Sequence, residues 1–261
     1  MYPLRFTFLA REPHSFPPDA AANRLRGAFG AVLHKLNAAS VFEPSSDSGP
    51  SGLADRPRPF VFRAQHLDGA AISAGETFEF DFYWFDLQRP SVDLAIRAFG
   101  ELPGAELLDV RGSEAPLQIN LDPPGERANR VTVCFQTPTE LKAGGRTVAQ
   151  PEFGILAARL RDRISTLSAL YGEGPLELDF REFGERAARV QMTCCEIRHV
   201  EASRRSARTG RIHSLGGFIG HAEYEGELGE FLPFLRAARW TGVGRQTAWG
   251  KGALAVTNHG E

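Results

Sequence analysis

The stretch from Phe153 to Tyr171 constrains the fold most. Phe153, Leu156, Leu160, Ile164, Leu167 and Tyr171 stand three or four residues apart, which lines them along one face of a helix, and Gly172 stops it. A helix with one apolar face must lie against another element. The flanking segments offer a sheet. Arg130 to Phe135, Val190 to Val200, Leu215 to Tyr224 and Ala253 to Val256 carry strand patterns, and Gly229 to Arg239 reads as a second helix. Leu176 to Phe180 reads as a short strand or part of a loop. The order is β-α-β-β-α-β, the ferredoxin-like arrangement.

The first half runs through the same order. Leu4 to Ala10 is a strand with Leu4, Phe6 and Phe8 alternating. Pro17-Pro18-Asp19 opens a helix with Asp19 as its N-cap. Its core stripe is Leu25, Phe29, Val32 and Leu36, while Gly27, Gly30 and His34 lie on another side. Glycine inside a helix costs about 1 kcal/mol against alanine. Close packing on the sheet and close approach of a ligand both explain such residues. Glu43 to Arg58, rich in Ser, Pro, Gly and Asp, reads as a mobile loop inside the first domain. Strands at Pro59 to Ala64 and Thr77 to Phe85 follow, then a helix over Ser91 to Leu102 and strand-like runs at Glu106 to Val110 and Leu117 to Leu121. Asp122 to Asn129, with two prolines and a glycine, is the best boundary. The expectation is an α+β chain of two tandem ferredoxin-like (RRM-like, βαββαβ) domains with antiparallel sheets, residues 1–125 and 126–261. No tandem sequence repeat accompanies the repeated order.

Near the end stands Trp240-Thr-Gly-Val-Gly-Arg-Gln-Thr-Ala-Trp-Gly-Lys-Gly252. Gly242, Gly244, Gly250 and Gly252 let backbone N–H groups come close to a ligand, and successive N–H groups form concavities that hold anions. Arg245 and Lys251 add cations, and no carboxylate occurs from Phe234 to Asn258. The loop follows a helix and leads into a strand, the reverse of the order in nucleotide-cofactor loops. A tight glycine turn with solvated charges is the alternative.

The net charge of −2 makes the whole chain no polycation, so a nucleic-acid surface must be local. Arg186 to His213 holds seven arginines (186, 189, 198, 204, 205, 208 and 211) against Glu196 and Glu201, a balance of 7 − 2 = +5. Arg204, Arg205, Arg208 and Arg211 fall in a small, polar run that reads as a hairpin tip, and arginine matches phosphate bidentately. Cys134, Cys194 and Cys195 lack disulfide or zinc-ligand spacing and read as reduced, mostly buried thiols of a cytoplasmic protein. No secretory signal or membrane-spanning run is visible.

No motif of metal ligands or activated serine appears, so no metal and no cofactor is expected. RNA, however, carries its own nucleophile in the 2′-OH. A protein cleaves it by moving two protons and stabilising the charged phosphorane. Histidine suits the first task and lysine or arginine the second.

Leu25-Arg-Gly-Ala-Phe-Gly30, Arg58-Pro-Phe-Val61, Phe135-Gln-Thr-Pro-Thr139, Gly217-Phe-Ile-Gly220 with Tyr224, and the glycine-rich loop occur in one order along the chain. The ordered set resembles the CRISPR-associated RAMP proteins, and within them the endoribonucleases that process CRISPR precursor RNA. The resemblance implies two ferredoxin-like units and metal-independent cleavage of repeat RNA with a cyclic phosphate product. It also implies a histidine on or just after the first helix, where His34 and Lys35 stand. CRISPR precursor RNA is the implied partner; other CRISPR effector subunits are compatible with it, and neither DNA nor membrane is expected. A non-cleaving RNA-binding RAMP subunit remains the alternative. A ferredoxin-like module unrelated to RNA fits the basic clusters less well.

Overall fold

The computed structural model describes residues 1–42, 56–88, 92–112, 115–123, 125, 128–205 and 212–259. The loop expected over Glu43 to Arg58 lies almost wholly outside them. The chain forms two compact units, each continuous except for short pieces. Met1–Gln118, Thr166–Pro175 and Ala248–Gly250 make the first; Ile119–Ser165, Leu176–Thr247 and Lys251–Glu261 make the second.

The first unit runs β1 (Tyr2–Ala10), α1 (Ala21–Lys35), β2 (Phe60–Arg63), β3 (Thr77–Trp84), α2 (Val92–Gly100) and β4 (Ala105–Gly112). The strands form an antiparallel sheet in the order β2-β3-β1-β4. Alternation along β1 and β3 turns Phe6, Phe8, Phe80 and Phe82 to one face. Phe29 of α1 and Phe99 of α2 meet them there; Phe99 lies 4.7 Å from Phe29 and 4.4 Å from Phe6 between ring centroids. Aromatic pairs at such distances add about 0.5–1.5 kcal/mol beyond the area they bury.

Two expectations fail in this unit. Asp19 does not cap α1: it sits at φ +58°, and the Ala21 N–H donates instead to the Asp68 carboxylate at 2.8 Å. A carboxylate at a helix N-terminus is favourable whichever segment supplies it. Leu117 to Leu121 is not a strand. Leu117 only exchanges backbone hydrogen bonds with Met1, at 2.7 and 2.9 Å, and Ile119 and Leu121 pack on the second core.

The second unit runs β5 (Arg130–Thr139), α3 (Phe153–Tyr171, whose last six residues are counted with the first unit), α4 (Phe180–Ala187), β6 (Gln191–Val200), β7 (Gly217–Glu225), α5 (Leu232–Thr241) and β8 (Leu254–Asn258). Its sheet is antiparallel in the order β6-β7-β5-β8, the topology of the first. Both sheets are therefore ferredoxin-like. The apolar face of α3 covers Val131, Val133 and Phe135, with Phe153 5.1 Å from Tyr224 and 5.2 Å from Phe231. Leu176 to Asp179 is loop rather than strand, and Phe180 opens α4, a helix absent from the sequence reading. Among the described residues no helix is long and apolar enough to cross a membrane.

Candidate nucleic-acid interface

α1 ends by a defined device. Asn37 takes φ +55° and donates to the His34 carbonyl at 3.2 Å, while Ala38 donates to the Leu33 carbonyl at 2.9 Å. A left-handed residue just past a helix satisfies its last carbonyls and fixes where the helix stops. His34 and Lys35 thus occupy the final turn, and both are exposed. The buried face is Leu25, Phe29, Val32 and Leu33.

The two helical glycines separate in meaning. A Cβ on Gly27 would meet nothing within 4 Å, so the surface there is open. A Cβ on Gly30 would lie 2.6 Å from the Phe42 ring, so that glycine makes room for protein. Phe42 also lies over Arg26: its ring centroid is 4.2 Å from that guanidinium, and Trp249 approaches the same guanidinium at 4.9 Å. Arg26 is buried on α1. Stacking on two rings is a favourable environment for a guanidinium, which is more weakly hydrated than an ammonium.

The glycine-rich loop begins where α5 is closed by Gly242 at φ +67°. All four glycines have positive φ, and each approaches protein atoms. An added Cβ would stand 2.9 Å from Thr247 Cγ2 at Gly242, 2.3 Å from the Glu140 carbonyl oxygen at Gly244, 2.5 Å from Ala22 Cβ at Gly250 and 2.0 Å from the Val243 carbonyl oxygen at Gly252. Several of the loop's N–H groups are also occupied. Val243 donates to Gly252 at 2.9 Å, Arg245 to Glu140 at 3.1 Å, Gly252 to Pro138 at 3.1 Å, and Ala253 to Thr137 Oγ1 at 2.9 Å. The Thr137-Pro-Thr139 end of β5 therefore clamps the loop. A 3₁₀ turn at Thr247–Trp249 completes it.

The loop's two cations differ. Arg245 is exposed and pairs with the Glu140 carboxylate at 3.1 Å. Lys251 is only 4% exposed, which sets it apart from the open phosphate contact its sequence setting suggested.

In the basic segment, Ser203–Arg205 pairs antiparallel with Ile212–Ser214, placing Arg204 opposite His213. That is the base of the expected hairpin; Arg208 and Arg211 lie outside the described residues. Arg186 belongs elsewhere. It stands on α4 and is held by Glu230 at 2.6 Å and Glu182 at 3.3 Å. These bonds raise its pKa, led by the hydrogen bond to Glu230, and remove it from the count of available cations.

The other motif residues are structural. Phe218 is buried, and Gly217 and Gly220 admit the Thr139 and Glu196 carbonyl oxygens where a Cβ would fall at 2.5 and 2.2 Å. Tyr224 is buried and donates to the Pro151 carbonyl at 2.6 Å, and desolvation raises its pKa. The outward residues of the second sheet include Thr132, Cys134, Cys194, Glu196, His221, Glu223 and Thr257, and the imidazole of His221 is the one ring in that set. The cysteines depart from expectation: Cys134 is exposed, and Cys194 and Cys195 are half-buried. Cys194, Glu196 and His221 come together, their ligand atoms within 4.8 Å of one another. Spacing of the two cysteines alone hid this trio, because its third member comes from the next strand.

Comparison with known proteins bears out the resemblance read from the motifs. Residues 133–254 match the family model of the CRISPR-associated endoribonuclease Cas6. No curated protein sequence matches the chain significantly. Among solved structures, a Cas6 product complex is similar at TM-score 0.62 and 18% identity, covering 98% of this chain and 99% of that one. Thermus thermophilus Cas6 is similar at 0.59 and 16%, with 98% of each chain covered. A partial Cas6-RT-Cas1–Cas2 complex is similar at 0.65 and 12%, covering 98% of this chain and 46% of the other. At these identities the likeness is one of fold.

Proposed function

We propose that this chain, a relative of the CRISPR-associated endoribonucleases, cleaves CRISPR repeat RNA in the cytoplasm to release guide units, without a metal ion in the reaction. The RNA 2′-OH loses its proton and attacks the adjacent phosphorus. The O2′–P bond forms, the P–O5′ bond breaks, and the departing 5′-oxygen takes a proton. The products are a 2′,3′-cyclic phosphate and a 5′-OH. His34 is the proton-transfer residue, and Lys35 beside it stabilises the charge that develops on the phosphorane.

The observation that carries this reading is the end of α1. His34 and Lys35 are exposed in its last turn, off the buried face, on a helix whose Gly27 leaves open surface. Arg245, Arg204 and Arg205, with Arg208 and Arg211 beyond the described residues, supply phosphate contacts, and Gly242, Gly244, Gly250 and Gly252 shape the loop that presents Arg245. Lys251 contributes from its buried position to that loop. Other CRISPR effector subunits are compatible partners.

Single-turnover cleavage of repeat RNA in EDTA tests the reading. The expected result is one cut and a cyclic phosphate end. Loss of a general acid or base typically costs about 10²–10⁴-fold in rate, so His34→Ala should slow the cut by that factor while RNA affinity stays near the parent's. Cleavage at the parent rate would remove His34 from the reaction. Tight binding with no cut in the parent would assign the chain to the non-cleaving RNA-binding subunits.

A further inference from the structure

The open face of the second sheet holds a group of side chains that cleavage does not use. In the β6–β7 register Glu196 stands directly opposite His221, and Cys194 lies two residues from Glu196 on the same strand. Directly opposed residues, and residues two apart, project from one face of a sheet. A thiol, a carboxylate and an imidazole are thereby set side by side by backbone pairing.

We propose that Cys194, Glu196 and His221 form a binding site for a zinc-class divalent cation. Zinc takes sulfur at about 2.3 Å and nitrogen or oxygen at about 2.0–2.2 Å in a tetrahedron. The edges of such a tetrahedron measure about 3.3–3.8 Å, from those bond lengths. His221 Nε2 and Glu196 Oε2 are 3.7 Å apart, just beyond the nitrogen–oxygen edge of about 3.3–3.6 Å that those bond lengths give. The ligand atoms of all three residues lie within 4.8 Å of one another, a span that side-chain rotation closes. A sulfur and an imidazole nitrogen in the set favour zinc-class ions over magnesium or calcium, which take oxygen ligands. Three protein ligands leave a fourth position for water.

The surroundings distinguish the residues. Cys195 pairs with buried Ala222 and so faces the core side, where desolvation pushes its thiol up. It is not a ligand. Cys134 faces His221 from the other side, on β5, but lies outside the trio. Glu223, opposite Cys194, is held by Arg130 at 2.5 Å and stays with that partner. A bound ion would tie the edge strand β6 to β7 beside the irregularity between Met192 and Cys194. It would thus steady the strand that leads to Arg204 and Arg205. The site rests on sheet geometry alone and stands or falls apart from the cleavage reading.

The test uses the full chain, freed of metal by chelator and titrated with zinc chloride against a chromogenic competitor, and with cobalt(II). One ion should bind per chain. Binding should release the Cys194 thiol proton, tighten as pH rises, and give cobalt a thiolate charge-transfer band. Cys194→Ser should abolish that band. It and His221→Ala should each weaken zinc binding by at least about tenfold, the scale at which even outer groups of a metal site act. Cys195→Ser and Cys134→Ser should bind like the parent. Glu196→Gln, at an exposed position, should also weaken binding while leaving the metal-free melting temperature unchanged. Zinc should raise the melting temperature of the parent but not of Cys194→Ser. The absence of stoichiometric binding, a cobalt band surviving in Cys194→Ser, or zinc affinity unchanged in Glu196→Gln would each overturn the site.

Discussion

Gly252→Ala tests whether the glycine-rich loop is shaped by the protein or kept open for a ligand. Gly252 sits at φ +69°, and an added Cβ would fall 2.0 Å from the Val243 carbonyl oxygen and 3.0 Å from the Val243 nitrogen. The neighbouring atom is backbone, so no side chain can swing away. The left-handed conformation alone costs an L-residue about 1–2 kcal/mol. Relieving the clash requires moving Gly252, which accepts from Val243 at 2.9 Å and donates to Pro138 at 3.1 Å. Each such hydrogen bond contributes about 1 kcal/mol net. The sum is about 3–4 kcal/mol. At roughly 2–4 °C per kcal/mol for a protein of this size, the melting temperature should fall on the order of 10 °C. Thermal melts followed by circular dichroism, with urea titration alongside, measure this. A melting temperature within about 2 °C of the parent, by the same scale, would refute the reasoning. RNA affinity of such a variant reports loop integrity first and contact with RNA only second.

Gly27→Ala should do the opposite. Its Cβ meets nothing within 4 Å and it lies inside α1, so the variant should gain about 1 kcal/mol and melt higher; a lower melting temperature would show that the surface there is not open. Glu140→Gln removes the carboxylate paired with Arg245 at 3.1 Å. It should tighten repeat-RNA binding severalfold at low salt and steepen the dependence of affinity on salt, because a freed phosphate contact releases another counterion. Unchanged affinity and slope would exclude Arg245 from the phosphate contacts.

How far the sequence could be read depended on where the stabilising partner lies. The bounds of α3 follow from its own spacing, since the buried residues Phe153, Leu156, Leu160, Ile164, Leu167 and Tyr171 recur every three or four positions along one face. Half of α4 is charged, and its buried residues Phe183 and Ala187 span a single turn, too short an apolar repeat to mark a helix. Its start was nevertheless written locally. Asp179 accepts from the Arg181 and Glu182 N–H groups at 2.9 Å, and an aspartate three residues before a glutamate is a capping signal. The cap of α1 was not legible, because Asp68 supplies it from a distant segment. The glycine-rich loop shows the same division. Glycine composition marks positive φ and close approach, but only the fold reveals that the approaching atoms at Gly244 and Gly252 are the protein's own carbonyls. His34 was legible as a residue off the apolar stripe; the Asn37 turn that fixes it was not.

The clamp on the glycine-rich loop also orders events in time. Its acceptors are Thr137 and Pro138, at the end of the first strand of the second unit, and Glu140 just past it; the matching donors are Ala253, Gly252 and Arg245. Gly250 meets Ala22, and Trp249 meets Arg26, across still longer stretches of chain. Contacts this distant in sequence form slowly, because the intervening loop must close before they contribute. On the ribosome, β5 is made long before the residues that complete its edge through β8, and it waits with one side unpaired. A nascent chain halted before Gly242 has all three helices and three of the four strands of the second unit, yet none of the loop's glycines. Synthesis of the residues from Gly242 onward is then the step at which the loop and the last strand first exist, and until they arrive the unpaired edge of β5 is a template for pairing with another strand.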